Sequence, residues 1–580
     1  MILNLNLIWK ILNKKEKIHF SFLIFLMLLN SLAEICGIAA IIPLISIIVE
    51  NDLTLLNNFL FNYDFNSLAQ SKNFFSFALI FVGSIFLIKN IFIMYYNWYL
   101  TNFHVAVATR LSEDIYKYYI SSPYEKFSKL DSSKFIYNCT EGVESFRNSL
   151  LNLTTFILEI TLSFIICTFL FFLNAKIMLS VIVLLSIITL SYKLLFLRKN
   201  EAWGQNVKDG TRGRIFTLSQ TFSSIKDINI FSGQSFFINQ YSVDNLKIKK
   251  YQKYYLFFRS TPKLIFEFLI VSFLLLLIYF MMQNNIANND EILIILSTIA
   301  VAFFRLYPAA HRIVSSLQVG DYGISVLNDL GHISKKIKNF KIDNKDFYSN
   351  ETIKIKNHIE LKNICLARKD KNDLILKNIN LNIVRGSIVG IKGDTGSGKS
   401  TLLDIITGFL TPTSGEIIID ERKIKKLNKS WFNNISYISQ NINLISESLT
   451  KNIALSVKDE NIDNKKVDDA IILSQLSTLV NNSITGKDQF VSENSINVSG
   501  GEKQRIGIAR AFYFNREINI FDESTNAIDE KTENIIMLNL KKFFNNKFTI
   551  VISHKKETLK HCDQIYNLKD GLLTKVYNDK

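Results

Sequence analysis

The segment from Gly393 to Thr401 constrains the fold of this 580-residue chain more than any other feature. It reads Gly-Asp-Thr-Gly-Ser-Gly-Lys-Ser-Thr and fits G-x-x-x-x-G-K-[ST], the pattern of a phosphate-binding loop. Such a loop needs a strand before it and a helix after it, and the apolar run 387–391 and the helical run 402–410 satisfy both needs. The sequence therefore predicts an α/β nucleotide-binding domain in this region.

Each residue type in the loop has a physical role. Glycines let the backbone N–H groups turn toward phosphate oxygens, and the N-terminus of the following helix favours their negative charge. Lys399 is expected to reach the phosphates and Ser400 to hold Mg²⁺. A glycine-rich turn that binds nothing is disfavoured, because lysine and hydroxyl are both in register. The predicted nucleotide contacts are Gly393, Asp394, Thr395, Gly396, Ser397, Gly398, Lys399, Ser400 and Thr401.

The first half of the chain is apolar enough to cross a membrane. Each of its long apolar runs covers about 30 Å of hydrocarbon at about 1.5 Å per helical residue. The predicted spans are 20–49, 74–98, 151–173, 177–197, 264–282 and 291–310. We therefore predict six membrane helices.

The Lys and Arg distribution predicts the orientation of these helices. The segments 100–150 and 198–262 are rich in basic residues, whereas the opposite loops 50–73, 174–176 and 283–290 hold only Lys72 and Lys176. Cytoplasmic loops carry the excess of basic residues. Both termini and the nucleotide-binding half are therefore expected in the cytoplasm.

The formal net charge of +16 is compatible with nucleic-acid binding, but the basic residues are spread along the membrane flanks. We read the charge as membrane topology and predict no nucleic-acid partner. Five scattered cysteines without C-x-x-C spacing indicate neither a disulfide framework nor a zinc site.

The second half alternates strand-like and helical runs after a polar segment, which is typical of an α/β sheet. The predicted strands are 359–361, 388–391, 417–419, 435–438, 518–521 and 549–552.

A second glycine-rich helix start identifies the class of nucleotide-binding protein. Residues 498–505 read Val-Ser-Gly-Gly-Glu-Lys-Gln-Arg, and a strand ending in Phe521-Asp522-Glu523 follows one helix later. This arrangement resembles the ATP-binding cassette (ABC) superfamily, whose signature is L-S-G-G-Q. The resemblance implies a membrane all-α six-helix domain of the type IV ABC exporter class at 1–318, a linker at 319–354 and an α/β P-loop ATP-binding cassette domain at 355–580.

The resemblance also implies the site roles. Glu523 would polarise the attacking water and His554 would contact the γ-phosphate, which makes these two the expected catalytic residues. Gln440 and Asp522 would join Ser400 around Mg²⁺, with Asp522 acting through water. The signature residues Ser499, Gly500 and Gly501 would face ATP bound by the opposite subunit. Because the chain has one cassette and one membrane half, a homodimer is expected.

Three positions depart from the family pattern. Asn526 replaces the usual serine in the loop that precedes Asp529, and Asn519 puts an amide inside the strand before Asp522. Residues 366–370 read Leu-Ala-Arg-Lys-Asp where an aromatic normally stacks on adenine. Arg368 is the candidate replacement, through its guanidinium plane.

The membrane half shows a closer resemblance. Residues 31–45 and 305–313 are similar to the bacterial lipid-linked oligosaccharide flippases of protein N-glycosylation. The resemblance implies transport of a polyprenyl-diphosphate glycan, whose head group would suit cations such as Lys89. The candidate cavity residues are Glu34, Lys89, Arg305 and Arg312. Glu34 and Lys89 are equally well explained as an internal ion pair.

Two other functions stay open. An exporter of another lipid, peptide or drug would have the same architecture. A non-transporting ATP-gated regulator is disfavoured because Glu523 and His554 are both present. The expected location is the bacterial inner membrane.

Overall fold

A computed structural model describes residues 2–50, 74–127, 131–173, 175–283, 289–340, 352–367, 373–424, 429–492 and 498–576. The chain divides into two compact units. One unit comprises residues 1–122 and 129–341, and the other comprises residues 123–128 and 342–580.

Helices are the only regular secondary structure among the described residues of the first unit. Its helices are α1 (Ile2–Ile11), α2 (Lys14–Glu50), α3 (Phe74–Ser121), α5 (Ser132–Cys139), α6 (Glu141–Leu173), α7 (Ala175–Ser223), α8 (Ile225–Ile230), α9 (Gln234–Gln283) and α10 (Asn289–Asn339). The short helix α4 (Tyr124–Phe127) belongs to the second unit, where the Tyr124 ring lies 4.8 Å from the ring of Phe409.

Each of the six predicted spans lies inside one long helix, which confirms the predicted helical class of this unit. The six helices α2, α3, α6, α7, α9 and α10 have between 33 and 51 residues. At about 1.5 Å per residue they are longer than a bilayer is thick. Three stretches of the described residues are long and apolar enough to cross a membrane, at 14–34, 79–121 and 132–168.

The structure corrects the predicted linker. Residues 319–339 continue helix α10 and belong to the helical unit. The segment is polar overall but has one apolar helix face. Val326, Leu327, Leu330 and Ile333 lie on this face and are all buried. This segment is thus a polar-surfaced helical extension.

Small residues allow the long helices to pack closely. At Gly204 on α7, an added Cβ would lie 2.0 Å from the carbonyl oxygen of Tyr322 on α10. At Gly323 on α10, an added Cβ would lie 2.5 Å from the Ser149 hydroxyl on α6. These glycines hold α7, α10 and α6 at distances that no side chain permits.

The second unit is an α/β domain. Its strands are β1 (His358–Ala367), β2 (Leu374–Val384), β3 (Ile388–Lys392), β4 (Ser414–Ile419), β5 (Arg422–Ile424), β6 (Ile435–Ile438), β7 (Glu447–Ser448), β8 (Phe490–Val491), β9 (Ile518–Asp522), β10 (Phe548–Ile552), β11 (Gln564–Lys569) and β12 (Leu572–Val576). Its helices are α11 (Lys399–Thr407), α12 (Lys429–Phe432), α13 (Leu449–Ile453), α14 (Asn464–Leu473), α15 (Ser477–Asn481), α16 (Gly500–Phe514), α17 (Glu530–Phe543) and α18 (Lys556–Lys560).

The central sheet has the order β12-β11-β3-β10-β9-β6, and every neighbouring pair except β12-β11 is parallel. A second sheet, β2-β1-β4-β5, is antiparallel. All six predicted strands coincide with observed ones. β2, β5, β7, β8, β11 and β12 are additional.

Apolar residues on both faces explain why the central strands read as unbroken apolar runs. Phe548, Ile550 and Ile552 on β10 join one buried cluster, whereas Val551 joins the other. A parallel sheet covered on both sides requires this pattern. The carboxyl ends of β3, β6, β9 and β10 consequently meet at one edge.

Candidate functional site

The predicted phosphate loop connects β3 to α11. Gly396 and Gly398 have φ angles of +85° and +103°, which L side chains rarely adopt. Gly398 caps α11, so the backbone N–H groups at the start of this helix are available to a ligand. The Ser397 hydroxyl is buried and has no hydrogen-bond partner among the described residues. A bound phosphate would satisfy this group.

Lys399, the first residue of α11, points back across the loop. Its ammonium donates to the Gly393 carbonyl and to the Asp394 carbonyl, the latter at 3.1 Å. The side chain is therefore held over the loop, where the sequence predicts the phosphates. No hydrogen bond is described for the side chains of Thr395, Ser400 and Thr401.

Three parallel strands bring the other predicted residues to this edge of the sheet. Gln440 follows β6, Asp522 ends β9, Glu523 follows it, and His554 follows β10. In open α/β sheets, ligands bind at the carboxyl ends of the strands. The structure thus brings His554 to the phosphate loop, although Lys399 and His554 are 155 positions apart in sequence.

Three side chains hold the Glu523 carboxylate. The Gln440 amide donates to Oε2 at 2.9 Å, and so does the Asn526 amide, also at 2.9 Å. The His554 Nε2 lies 3.2 Å from Oε1. Glu523 also has a φ of +48°, a region that non-glycine residues seldom occupy. Backbone strain of this kind concentrates at functional sites.

His554 stands between two partners. Its Nε2 is 3.1 Å from the Lys399 ammonium and 3.2 Å from Glu523 Oε1. A protonated Nε2 donates to Glu523, whereas an unprotonated Nε2 accepts from Lys399, so the two contacts use different tautomers. The histidine therefore links the phosphate loop to the glutamate that the sequence predicts as catalytic.

Asp522 lies beside these groups. It accepts a hydrogen bond from the Tyr437 hydroxyl at 3.0 Å. Burial raises the pKa of the Asp522 carboxyl above its ordinary value, and the nearby Glu523 charge raises it further, while the Tyr437 hydroxyl and Lys399 oppose the shift. A bound cation would offset both the burial and the repulsion.

The predicted Mg²⁺ ligands fit that ion by chemistry. Ser400, Gln440 and Asp522 offer hydroxyl, amide and carboxylate oxygens, and Mg²⁺ prefers hard oxygen ligands and keeps several waters. The raised pKa of Asp522 is the observation in favour of a cation here. When bound, Mg²⁺ would neutralise phosphate charge.

The signature segment begins helix α16. The Ser499 hydroxyl caps the helix by accepting from the Glu502 backbone N–H, and the Glu502 carboxylate accepts from the Ser499 backbone N–H. The two bonds form a capping box. Glu502 in place of the usual glutamine thus has a structural role. An added Cβ at Gly501 would lie 2.7 Å from the Ala527 carbonyl, whereas one at Gly500 would be 3.8 Å from Ala527 Cβ. Among the described residues no hydrogen bond joins 499–501 to the phosphate loop.

The structure shows the surroundings of two of the three positions that depart from the family pattern. Asn519 is fully buried; its amide donates to the Arg516 carbonyl at 3.2 Å, but its Oδ1 has no described partner. Asn526 contacts Glu523, as given above. Arg368 and its neighbours 369–372 lie outside the described residues, so adenine stacking stays a prediction.

The predicted cavity charges form two pairs. Lys89 on α3 is 9% exposed and donates to Glu34 on α2 at 3.1 Å. Arg312 on α10 donates to Glu159 on α6, whose side chain is 5% exposed. The internal pair between Glu34 and Lys89 is therefore present. The Arg305 side chain lies outside the described residues.

Sequence reasoning missed three contributors. Glu159 lies within the predicted span 151–173 and belongs to no motif. A carboxylate in an apolar helix nevertheless indicates a functional position. Tyr437 two residues after the start of β6 gives no sequence signal. Asn526 was visible as a departure, but its contact with Glu523 was not.

Part of the second unit resembles a known protein family. Residues 376–526 match the family model described as ABC transporter. The alpha-hemolysin translocation ATP-binding protein HlyB of Proteus vulgaris is 36% identical over 218 residues, which is 37% of this chain and 31% of that protein. The ATP-dependent lipid A-core flippase of Pectobacterium atrosepticum is 33% identical over 228 residues, or 39% of each chain. These matches thus span less than half of either relative.

A solved structure extends the likeness over the whole chain. The structure of a bacterial Atm1-family ABC exporter with ATP bound superposes with a TM-score of 0.74 at 17% sequence identity. The superposition covers 97% of this chain and 95% of that one. The predicted fold class is confirmed: residues 376–526 match an ABC transporter domain, and the chain as a whole has the fold of an ABC exporter.

Proposed function

We propose that this chain hydrolyses ATP and uses it to move an amphiphile across the bacterial inner membrane. The observation that carries the proposal is the convergence of Lys399, Gln440, Asp522, Glu523 and His554 at one sheet edge. The same chain has helices that are long and apolar enough to cross a membrane, which favours a membrane transporter over a soluble ATPase. Lipid A-core flippase and hemolysin translocation are the activities named for two relatives.

The residues have distinct tasks in hydrolysis. Lys399 and the loop N–H groups bind the phosphates, and Ser400, Gln440 and Asp522 would hold Mg²⁺. Glu523, whose carboxylate three neighbours orient, polarises the attacking water and accepts its proton. His554, which reaches Lys399 and Glu523 alike, steadies the γ-phosphate.

The working form is a homodimer. Among the described residues, no hydrogen bond joins the signature residues Ser499, Gly500 and Gly501 to the phosphate loop of their own chain, so a second copy would supply them. The bend around α8 supports this assignment, because it exposes large apolar side chains: Phe222 at 77%, Ile230 at 74% and Phe231 at 80%. A second copy would cover these side chains. Both termini and the ATPase domain lie in the cytoplasm in this proposal.

The first candidate substrate is a lipid-linked oligosaccharide with a polyprenyl diphosphate. Lys89 and Arg312 are the cations that would meet the diphosphate, together with Arg305. Because Lys89 and Arg312 are each paired with a carboxylate, the diphosphate would compete with Glu34 and Glu159 for these cations. Phosphate oxygens accept from both lysine and arginine, so such an exchange is chemically sound.

The second candidate is an amphiphile without an anionic head group. The pairs Lys89–Glu34 and Arg312–Glu159 leave no net charge among these four side chains. Breaking a largely buried pair such as Lys89–Glu34 leaves an uncompensated charge and is strongly unfavourable. A neutral amphiphile requires no such exchange.

ATPase stimulation in proteoliposomes distinguishes the two candidates. The wild type is assayed with a polyprenyl-diphosphate glycan and with neutral amphiphiles. If the head group binds Lys89, then Lys89→Ala abolishes stimulation by the glycan and leaves basal hydrolysis within a few-fold of wild type. The matched variant Glu34→Gln removes the competing carboxylate and lowers the glycan concentration needed.

The outcomes decide the substrate class. Stimulation by neutral amphiphiles alone, with Lys89→Ala and Glu34→Gln behaving alike, favours the second candidate. Absence of hydrolysis by the wild type under all conditions contradicts the proposed function itself.

A further inference from the structure

Asn526, in the loop after β9, contacts the Glu523 carboxylate and has no named role in the mechanism described above. Asn526 Nδ2 donates to Glu523 Oε2 at 2.9 Å, the same oxygen that accepts from Gln440. One oxygen of the carboxylate is therefore held by two amides, and Oε1 is left on the side of His554. Asn526 is also the position at which the sequence departs from the usual serine.

The backbone around Asn526 is fixed at several points. The Ala527 N–H donates to Gln504 Oε1 on α16 at 2.8 Å. The Lys555 ammonium donates to the carbonyls of Thr525, at 2.9 Å, and Ile528, at 3.2 Å. The side chain of Asn526 is thus presented from a loop that is tied to both α16 and the segment after β10.

The side-chain chemistry suits this contact. Asparagine in a turn commonly bonds to nearby backbone groups. Here the amide instead contacts a carboxylate three residues earlier, in a turn closed by the bond from the Asn526 N–H to the Glu523 carbonyl at 3.3 Å. Serine has a shorter side chain with a single donor, so it would not reach the carboxylate in this way.

We propose that Asn526 is a positioning residue that fixes the rotamer of Glu523. With Oε2 held by Gln440 and Asn526, the carboxylate cannot rotate away from the water that it polarises. The proposal rests on the ATP hydrolysis proposed above. Its consequence is specific: Asn526 affects the turnover number, kcat, and leaves ATP binding unchanged.

The test is a double-mutant cycle in the full-length protein, reconstituted in proteoliposomes. Asn526→Asp keeps the shape of the side chain and removes the donor, and Asn526→Ala removes the donor without adding charge. Both are expected to lower kcat about 10- to 100-fold, the effect of one hydrogen bond to a charged group. KM for ATP and the melting temperature stay near wild type. Asn482→Asp, at an exposed asparagine after α15, is the matched control and keeps the wild-type kcat.

The decisive comparison uses Glu523→Gln as the background. Because Asn526 acts through Glu523, adding Asn526→Asp to Glu523→Gln changes the residual rate less than about two-fold. An equal loss in both backgrounds shows a general structural role and overturns the proposal.

The outcomes separate this inference from the proposed function. Wild-type kcat in Asn526→Asp and Asn526→Ala, with Glu523→Gln lowered to its residual rate, overturns the inference alone. A Glu523→Gln protein that turns over at the wild-type rate overturns both, since Glu523 would then have no role for Asn526 to support.

Discussion

The surroundings of Asp522 disfavour its ionised form. Burial and the neighbouring Glu523 charge raise the pKa of its carboxyl, so the folded chain disfavours the ionised form. A group whose pKa is raised by folding contributes stability at low pH and loses that contribution as the pH rises through the folded-state pKa. Above the ordinary pKa of an aspartate, this preference therefore lowers the stability of the nucleotide-free protein.

Asp522→Asn should consequently stabilise the nucleotide-free protein near pH 7.5. The amide removes the charge and keeps an acceptor for the Tyr437 hydroxyl. We expect the melting temperature to rise by about 2–4 °C, the shift for about 1 kcal/mol in a domain of this size. Thermal melts from pH 4 to 8 check the sign, since the gain should shrink toward pH 4. A gain that is independent of pH would contradict the electrostatic explanation.

Addition of Mg²⁺ and ATP should make the wild type melt at a higher temperature than Asp522→Asn. Wild-type Asp522 gains a cation, whereas Asp522→Asn offers a weaker ligand. The wild type should therefore show the larger rise in melting temperature on addition of Mg²⁺ and ATP. An equal rise would mean that Asp522 is not near the cation.

The long helices α7 and α10 pack closely where they cross. Gly204 lies where α7 crosses α10, and a Cβ there would stand 2.0 Å from the Tyr322 carbonyl. Gly204→Ala must therefore push the helices apart, which costs about 1–3 kcal/mol. We expect a lower melting temperature in detergent, measured by intrinsic fluorescence.

Gly83→Ala on α3 is the matched control. An added Cβ at Gly83 has no atom within 4 Å, and alanine is the better helix former. Its melting temperature should not fall. A Gly204→Ala protein as stable as Gly83→Ala would show that the crossing tolerates a side chain.

Elements with strong local signals could be predicted, and those that depend on tertiary context could not. The strand before Gly393 and the strand ending at Asp522 are short apolar runs beside motifs, so their positions were clear. Strand β2 alternates apolar with Lys and Asn residues and pairs with β1 through several register shifts, which no local pattern announces. The helical nature of 319–339 was hidden by polar side chains on its exposed face.

The site followed the same rule. Lys399 was predicted from the phosphate-loop pattern, and Gln440, Asp522, Glu523 and His554 were predicted from the resemblance to the ABC superfamily. The contacts between them depend on side-chain conformations. The pairing of Arg312 with Glu159, 153 residues apart, likewise required the structure.

At the scale of the whole molecule, the homodimer predicts rescue between two defective chains. Lys399→Ala disables the phosphate loop, and Ser499→Arg disables the signature segment. If each site combines one loop with the partner's signature, each variant alone is inactive. A mixture restores one intact site per mixed dimer, or about a quarter of wild-type hydrolysis with random pairing. An inactive mixture, with mixed dimers verified by two affinity tags, would contradict the shared site.

The central claim is that hydrolysis at Glu523 drives movement of an amphiphile between leaflets. The most direct test uses proteoliposomes with outward-facing ATPase domains and a fluorescent amphiphile that stimulates hydrolysis. Movement is measured as protection of the label from an external quencher after addition of Mg²⁺ and ATP. We expect ATP-dependent protection with the wild type and none with Glu523→Gln, although the variant binds ATP as tightly. Equal protection with both proteins, or with the wild type in the absence of ATP, would contradict the account.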